Sequence, residues 1–325
     1  MNPNADFLVR RLRLRHLELL VVLGSFGTMR AAAGQLNLSQ PAISKMLAEA
    51  EDAVGARLFE RTRQGMRITA AGATVLHRAR IALGELAHAQ DEVRALRAGA
   101  SAILRVGTLS VTASLPAAVT RLRERMPGAA VHIHEGRVRE LVEMLLQGDL
   151  DCVFGALTPE LLNSDQLRSV QSEALFPDQL CVLASSANRH MTQRRWRWVD
   201  LRAAPWVAPP RTTLVRQAFI TAYLDQGVDP PEPAIETMSS VTIGALMRLD
   251  PSLLCVVRME HARDEVAHGL QQLVVTPSIP LPPLGLFTRR SPVEQPAVLQ
   301  AFAQTLRQVA APPAKRAKGR VAASS

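Results

Sequence analysis

Cysteine is scarce in this chain: Cys152, Cys181 and Cys255 are the only three, an odd number set far apart. That argues against a disulfide framework or a zinc site and fits a reduced compartment. All three lie in apolar sequence, with nothing nearby to activate a thiolate as a redox sensor. Long apolar runs are missing too. A membrane span needs about 18 consecutive apolar residues, and the nearest candidate, Leu17 to Gly24, is short and contains Glu18. The amino terminus carries several arginines but neither the apolar core nor the small-residue cleavage site of a secretory signal, so cytoplasmic residence and no membrane partner are expected. There is no G-x-S-x-G elbow, no P-loop and no dinucleotide glycine fingerprint, and the acidic residues form no obvious catalytic set. Neither enzymatic activity nor a cofactor is therefore expected.

What is present is enough for two or three domains with proper cores: 325 residues, 47% of them hydrophobic. The net charge of +9 is unevenly spread, with +5 in residues 1–99, zero in 100–310 and +4 in the tail. A basic end beside a neutral middle is the footprint of a phosphate-binding head. Residues 1–14 form a basic lead-in with Arg10, Arg11 and Arg13, followed by Arg15; these arginines suit phosphates or simply a solvated charge run.

Ser39-Gln40-Pro41-Ala42-Ile43-Ser44-Lys45-Met46-Leu47 opens a helix suited to a DNA major groove. Ser39 is placed to cap it, Pro41 sits in the first turn where a missing N–H costs little, and Gly55 stops it after Val54. Ile43, Leu47, Ala50 and Val54 fall on one face for burial; Pro41, Lys45 and Ala48 point the other way, with Gln40 and Ser44 beside them. The outward face is small and polar, so backbone and short side chains can approach base edges. Lys45 is the only lysine before the tail. Upstream, Leu17, Leu20, Val21 and Leu23 make one apolar helix. Thr28 caps a second through Met29, Ala32, Ala33 and Leu36, and Asn37-Leu38 form the turn, a helix-turn-helix arrangement. Leu58 to Thr69 gives two short extended pieces around a Gln-Gly turn with Arg61, Arg63 and Arg67, a wing.

Residues 15–72 resemble the DNA-binding domain of LysR-type transcriptional regulators. The resemblance rests on Ala32-Ala33 with Leu36, SQPAISK at 39–45, Glu51, Gly55, LFERTR at 58–63, and Ile68-Thr69-Ala70-Ala71-Gly72. So long an ordered set is a specific signal. Two positions depart from the family pattern: Arg30 replaces a small hydroxyl residue, adding a phosphate contact, and Ala50 replaces leucine, thinning the core. The DNA-binding set expected from residues and resemblance together is Thr28, Arg30, Ser39, Gln40, Pro41, Ser44, Lys45, Arg61 and Arg63.

Beyond the wing, Thr69 caps a helix from Ala70 to about Leu96, with Leu76, Ala79, Leu83, Leu86, Val93 and Leu96 near heptad spacing. Such a seam needs a partner helix. The resemblance implies a dimer through this helix, and a tetramer as the larger assembly; packing on the chain's own effector domain is the alternative. From residue 102 short apolar strands alternate with helices, which indicates βαβ units and a parallel sheet. The strands fall at Ile103 to Leu109, Ala130 to His134, Leu150 to Phe154, Leu180 to Ala184, Trp206 to Ala208, Leu253 to Val257 and Pro282 to Thr288. Spacing alone gives an α/β region of two lobes; the resemblance implies a two-lobed effector domain like a type 2 periplasmic-binding-protein fold. The expected organisation is α+β and multidomain: a winged helix-turn-helix at 1–69, a linker helix at 70–99, an effector domain at 100–310 with crossings near 170–178 and 272–278, and a disordered basic tail at 311–325. The tail either adds non-specific DNA affinity or has no role.

Ligands of open α/β sheets sit at the carboxyl ends of strands. The first such loop here is Ser110 to Ser114, and the resemblance implies an effector role for Ser110 and Thr112, with Ser114 capping the helix that follows. Arg137, after the second strand, and Arg211 with Thr212, in the corresponding segment of the second lobe, would suit an anionic effector, a carboxylate or phosphate. Either arginine fits a surface or ion-paired role equally well. His132 and His134 share a strand face but have no third ligand at useful spacing, so no metal is expected. Trp196, Trp198 and Trp206 anchor the second lobe. The partners expected are double-stranded DNA, a small-molecule effector, a second copy of the chain and RNA polymerase. A solute-binding protein is the competing class for the later half, but the basic head and the missing export signal speak against it.

Overall fold

A computed structural model describes residues 11–97, 99–109, 114–156, 169–192, 194–290 and 294–310. Ser110, Thr112, the lead-in up to Arg10 and the basic tail lie outside the described residues.

The amino-terminal unit has three short helices, α1 (Leu14–Phe26), α2 (Met29–Leu36) and α3 (Gln40–Val54), a hairpin of β1 (Phe59–Thr62) and β2 (Gly65–Ile68), and the long α4 (Ala70–Arg97). Caps set the boundaries. The Thr28 hydroxyl accepts from Ala31 N at 3.2 Å and that of Ser39 from Ala42 N at 3.3 Å. α2 ends on Asn37 and α3 on Gly55, both left-handed, with φ of 53° and 75°. Leu19, Leu20, Leu23, Ala32, Ala33, Ile43, Leu47, Leu58, Phe59 and Leu76 form the core.

Two expectations need correction here. Leu19 rather than Leu17 is fully buried in α1, because α1 meets α2, α3 and α4 and is covered on several sides. Leu76 and Ala79 are buried and do not belong to a free seam, since Leu76 completes this core; the exposed apolar side chains further along α4 are Leu86, Val93 and Leu96.

The larger unit carries a mixed sheet of ten strands. In chain order its elements are β3 (Ala102–Thr108), α5 (Ser114–Arg125), β4 (Ala129–Glu135), α6 (Val138–Gln147), β5 (Cys152–Ala156), β6 (Val170–Ser185), α7 (Arg189–Thr192), β7 (Arg195–Arg197), β8 (Trp206–Ala208), α8 (Leu214–Leu224), β9 (Ile235–Glu236), α9 (Ser240–Leu249), β10 (Leu254–Arg258), α10 (Met259–Ala267), β11 (Leu270–Thr276), β12 (Pro280–Arg289) and α11 (Ala297–Ala310). The main order is β4-β3-β5-β12-β6-β10-β8-β9, with β11 against β6 and β7. Parallel β4-β3-β5 belong to the first lobe and parallel β10-β8-β9 to the second.

β6 joins the lobes. Expected as a short strand Leu180 to Ala184 preceded by a crossing, it is one strand of 16 residues. Val170 to Gln179 pair antiparallel with β12, and Leu180 to Ala184 with β10. Its first half is polar (Gln171, Ser172, Glu173) because one face is wet, which hides it from an apolar-run criterion. β7, β9 and β11 are further strands that the sequence reading passed over. The first-lobe core gathers Leu104, Val106, Leu115, Leu122, Phe154 and Phe302 from β3, β5, α5 and α11. The second packs Trp196, Trp198 and Trp206 with Phe219 and Tyr223, so the three tryptophans are core residues; Trp206 and Phe219 meet edge-on with ring centres 4.8 Å apart.

Candidate nucleic-acid interface and ligand cleft

α3 presents the two faces its sequence calls for. Ile43, Leu47 and Ala50 are buried, while Gln40, Pro41, Lys45 and Ala48 are exposed. Ala50, where the family favours leucine, is fully covered. The wing is held to α3 in two places. Arg61 Nη2 donates to Ser44 Oγ at 3.3 Å, joining a wing arginine to the outward surface of α3. Glu51, 6% exposed, accepts from Leu58 N at 2.8 Å, Phe59 N at 3.2 Å and Arg57 Nη1 at 3.0 Å. One buried carboxylate thus satisfies two backbone donors at the base of β1 and is itself charge-paired. The far side of the wing rests on the α1–α2 turn, where Met66 N donates to Gly27 O at 2.7 Å. Gly72 sits so close to the Leu58 carbonyl that a Cβ would lie 2.0 Å from its oxygen, so only glycine fits there.

Thr28, Ser39 and Ser44 are therefore all engaged in capping or wing contacts, whereas Arg30 and Arg63 are exposed. Lys45 Nζ lies 3.9 Å from Glu49 and is 80% exposed. Glu49 in turn meets the buried His16 at 3.3 Å. Because His16 Nδ1 accepts from Arg13 N at 3.2 Å, its Nε2 carries the proton that points to Glu49. Glu49, Glu51 and His16 were not singled out for these roles; their partners come from other elements.

In the larger unit the polar groups at strand ends are mostly paired within the protein. Ser114, expected to cap its own helix, instead donates from Oγ to Glu260 Oε2 on α10, and both residues are buried. Glu260 Oε1 also accepts from Arg263 Nη1 at 2.9 Å. Arg211 pairs with Glu232, and both side chains are largely exposed. Arg216, in the first turn of α8, shares that carboxylate at 3.2 Å. It is 1% exposed, and its Nε and Nη1 find no hydrogen-bond partner among the described residues, which makes it the most deeply buried arginine near this strand end. Nothing in the local sequence sets it apart from the other arginines. Thr212 is exposed and Thr213 caps α8, accepting from Arg216 N at 3.2 Å. Arg137 is exposed on the first lobe at the start of α6.

Where the strands cross between lobes, Asp178 of β6 accepts from Arg258 Nε at 2.5 Å and Met259 N at 2.9 Å. Arg258 Nη2 reaches Pro282 O of β12 at 2.8 Å. His132 and His134 are exposed on the edge strand β4, and no group of three metal-ligating side chains occurs among the described residues. Burial pushes the Cys181 thiol up to about 12 and raises Cys152 and Cys255 as well, so the three cysteines stay neutral thiols.

Comparison with known proteins bears directly on both regions. Residues 14–73 match the model of the bacterial regulatory helix-turn-helix proteins of the lysR family, and residues 97–311 match that of the LysR substrate binding domain. The transcriptional regulator GalR of Pseudomonas putida is 30% identical over 303 residues, covering 91% of this chain and 73% of its own length. GbpR of Azospirillum brasilense is 29% identical over 260 residues, 79% of this chain and 75% of that one. Among solved structures, the LysR family regulator CbnR aligns with a TM-score of 0.54 at 22% identity, over 93% of this chain and all of the other. A full-length OxyR from Pseudomonas aeruginosa aligns with a TM-score of 0.59 at 20% identity, over 91% and 95%; these two likenesses concern the fold. A helix-turn-helix head with its wing, a two-lobed α/β domain and matching family models for both place this chain in the LysR family of DNA-binding transcriptional regulators.

Proposed function

We propose that α3 enters the major groove, with Gln40, Pro41, Ser44 and Lys45 at base edges. Thr28, Arg30, Ser39 and Arg61 meet the backbone, and Arg63 at the wing tip reaches the flanking backbone or minor groove. The observation that carries this is the exposed, small N-terminal face of a capped α3 with an arginine-bearing hairpin pinned to it at Ser44. The chain works as a dimer through α4, where Leu86, Val93 and Leu96 are 49%, 49% and 58% exposed, and dimers pair into tetramers. A small effector, anionic in character, binds between the lobes near Ser110, Thr112, Arg137, Arg211 and Thr212 and alters the spacing of the heads; Arg216, buried and partly unpaired, strengthens the case for negative charge on the second-lobe side. The domains divide near residues 69, 99 and 310. The protein has no enzymatic activity, acts in the cytoplasm, and addresses RNA polymerase at its promoters.

The test is fluorescence anisotropy on the DNA upstream of its own gene and the divergent neighbour, against scrambled DNA, across a salt series. Tight, sequence-dependent binding with a steep salt slope is expected. Lys45→Ala should weaken operator binding about ten-fold and reduce the salt slope by about one. Unchanged affinity at matched salt would remove this face of α3 from the interface.

A further inference from the structure

Glu260 is a carboxylate only 2% exposed where one lobe touches the other. Burying a charge costs several kcal/mol unless it is well paired, and an apolar contact of the same size would often hold two lobes together more firmly. Its position is unusual in a second way. Glu260 is the second residue of α10, which follows β10, and Ser114 opens α5, the first helix after β3. Both sites lie at carboxyl ends of parallel strands, where α/β sheets receive ligands and helix N-termini favour negative charge. The carboxylate of the second lobe therefore sits on the hydroxyl at the start of the first lobe's leading helix, with the Arg263 guanidinium beside it at 2.9 Å.

The start of α10 is also fastened to both crossing strands. Arg258 bonds Asp178 of β6 and the Pro282 carbonyl of β12, and Asp178 accepts from Met259 N. Three successive residues thus join hinge and lobes: Arg258 and Met259 to the hinge, Glu260 to the opposite lobe.

We infer that Glu260 is a resident stand-in for the effector, a carboxylate that occupies the Ser114 seat in the unliganded protein and is displaced when a small carboxylate-bearing effector takes that seat. Displacement frees the start of α10 from the first lobe while Arg258 keeps it tied to the hinge, so the exchange is felt at β6 and β12. The inference rests on the effector reading above and adds the chemical class of the ligand, the atom it engages and the group it replaces.

The experiment uses the full-length protein and acetate as the probe, followed by titration calorimetry. A seat that Glu260 fills about nine-tenths of the time lowers apparent affinity about ten-fold. Glu260→Ala should therefore bind acetate at least about ten-fold more tightly than the parent, and Glu260→Ala combined with Ser114→Ala should lose that gain. Equal acetate affinity in the parent and in Glu260→Ala overturns the inference. Pulsed electron-spin distances between labels at Arg121→Cys and Gln217→Cys, exposed positions on the two lobes, give a second reading that needs no ligand. Ser114→Ala, the milder change, should broaden the distribution as Glu260→Gln does, and identical distributions in parent and both variants overturn the latch. Neither measurement involves DNA. Failure of effector control itself would appear separately, as operator affinity that no cleft variant alters.

Discussion

The head and the effector domain treat their polar groups in opposite ways. On α3 the side chains aimed outward, Gln40, Pro41 and Lys45, are exposed, and the buried polar groups, Glu51 and His16, tie elements of the head to one another. In the effector domain several charged groups near strand ends are paired within the protein: Glu232 with Arg211 and Arg216, Glu260 with Ser114, Asp178 with Arg258. A surface that meets a large polyanion needs no stand-in partner, because water and salt screen it until DNA arrives. A cleft that shuts around a small molecule leaves its charges in low dielectric, so internal counter-groups hold them until a ligand competes.

The strongest way to break this contrast is to remove a buried tie in the head. Glu51→Ala leaves the Leu58 and Phe59 amides without their acceptor, at about 1–3 kcal/mol each. Urea unfolding should show the head destabilised by about 3 kcal/mol, with Glu51→Gln losing roughly half as much and the effector-domain transition unmoved. An equal loss in both transitions would mean that the two regions do not fold as separate units. A smaller effect is expected at the recognition-helix cap. Ser39→Ala should cost about 1 kcal/mol and Ser39→Gly only a few tenths; a cost in Ser39→Gly as large as that of Ser39→Ala would show that the hydroxyl is not what holds the first turn.

The smallest effect sharpens the comparison on the effector side. The Arg307 guanidinium, bonded to Glu173 at 2.6 and 2.7 Å, holds that carboxyl below its usual range. A carboxyl depressed in the folded state adds stability above its unfolded pKa of about 4.3 and loses it as pH falls through the folded value. Both groups are substantially exposed, so Arg307→Ala should cost only about 0.5–1 kcal/mol at pH 7. The gap between parent and variant urea midpoints should narrow as pH is lowered below about 4. A gap that stays constant would assign the loss to packing of the arginine stem.

The head was largely legible in the sequence because its signals are local. Thr28, Ser39, Asn37 and Gly55 act within three or four residues of themselves, and the inward stripe of α3 shows its period directly. The alternation of strands and helices in the effector domain was legible for the same reason. What escaped depends on distance along the chain. Glu232 lies 21 residues from Arg211, and Glu260 lies 146 from Ser114, so no window of sequence pairs them. The type and place of Arg211 suit an anion, but no local signal shows that Glu232, in the segment Pro230-Pro231-Glu232, pairs with it. Leu76 has the right spacing for a seam between chains, yet spacing does not tell a partner's helix from the chain's own core.

The length of β6 has a consequence for dividing the protein. Its first ten residues complete the sheet of one lobe through β12, and the next five complete that of the other through β10. A cut on either side of Gln179 would hand each fragment an open edge of unpaired N–H and C=O groups, the template on which strands from separate molecules add to one another. Neither lobe is thus a portable module. Swapping ligand-sensing halves between regulators would require carrying this strand and its returning neighbour β12 whole, with the join placed outside both.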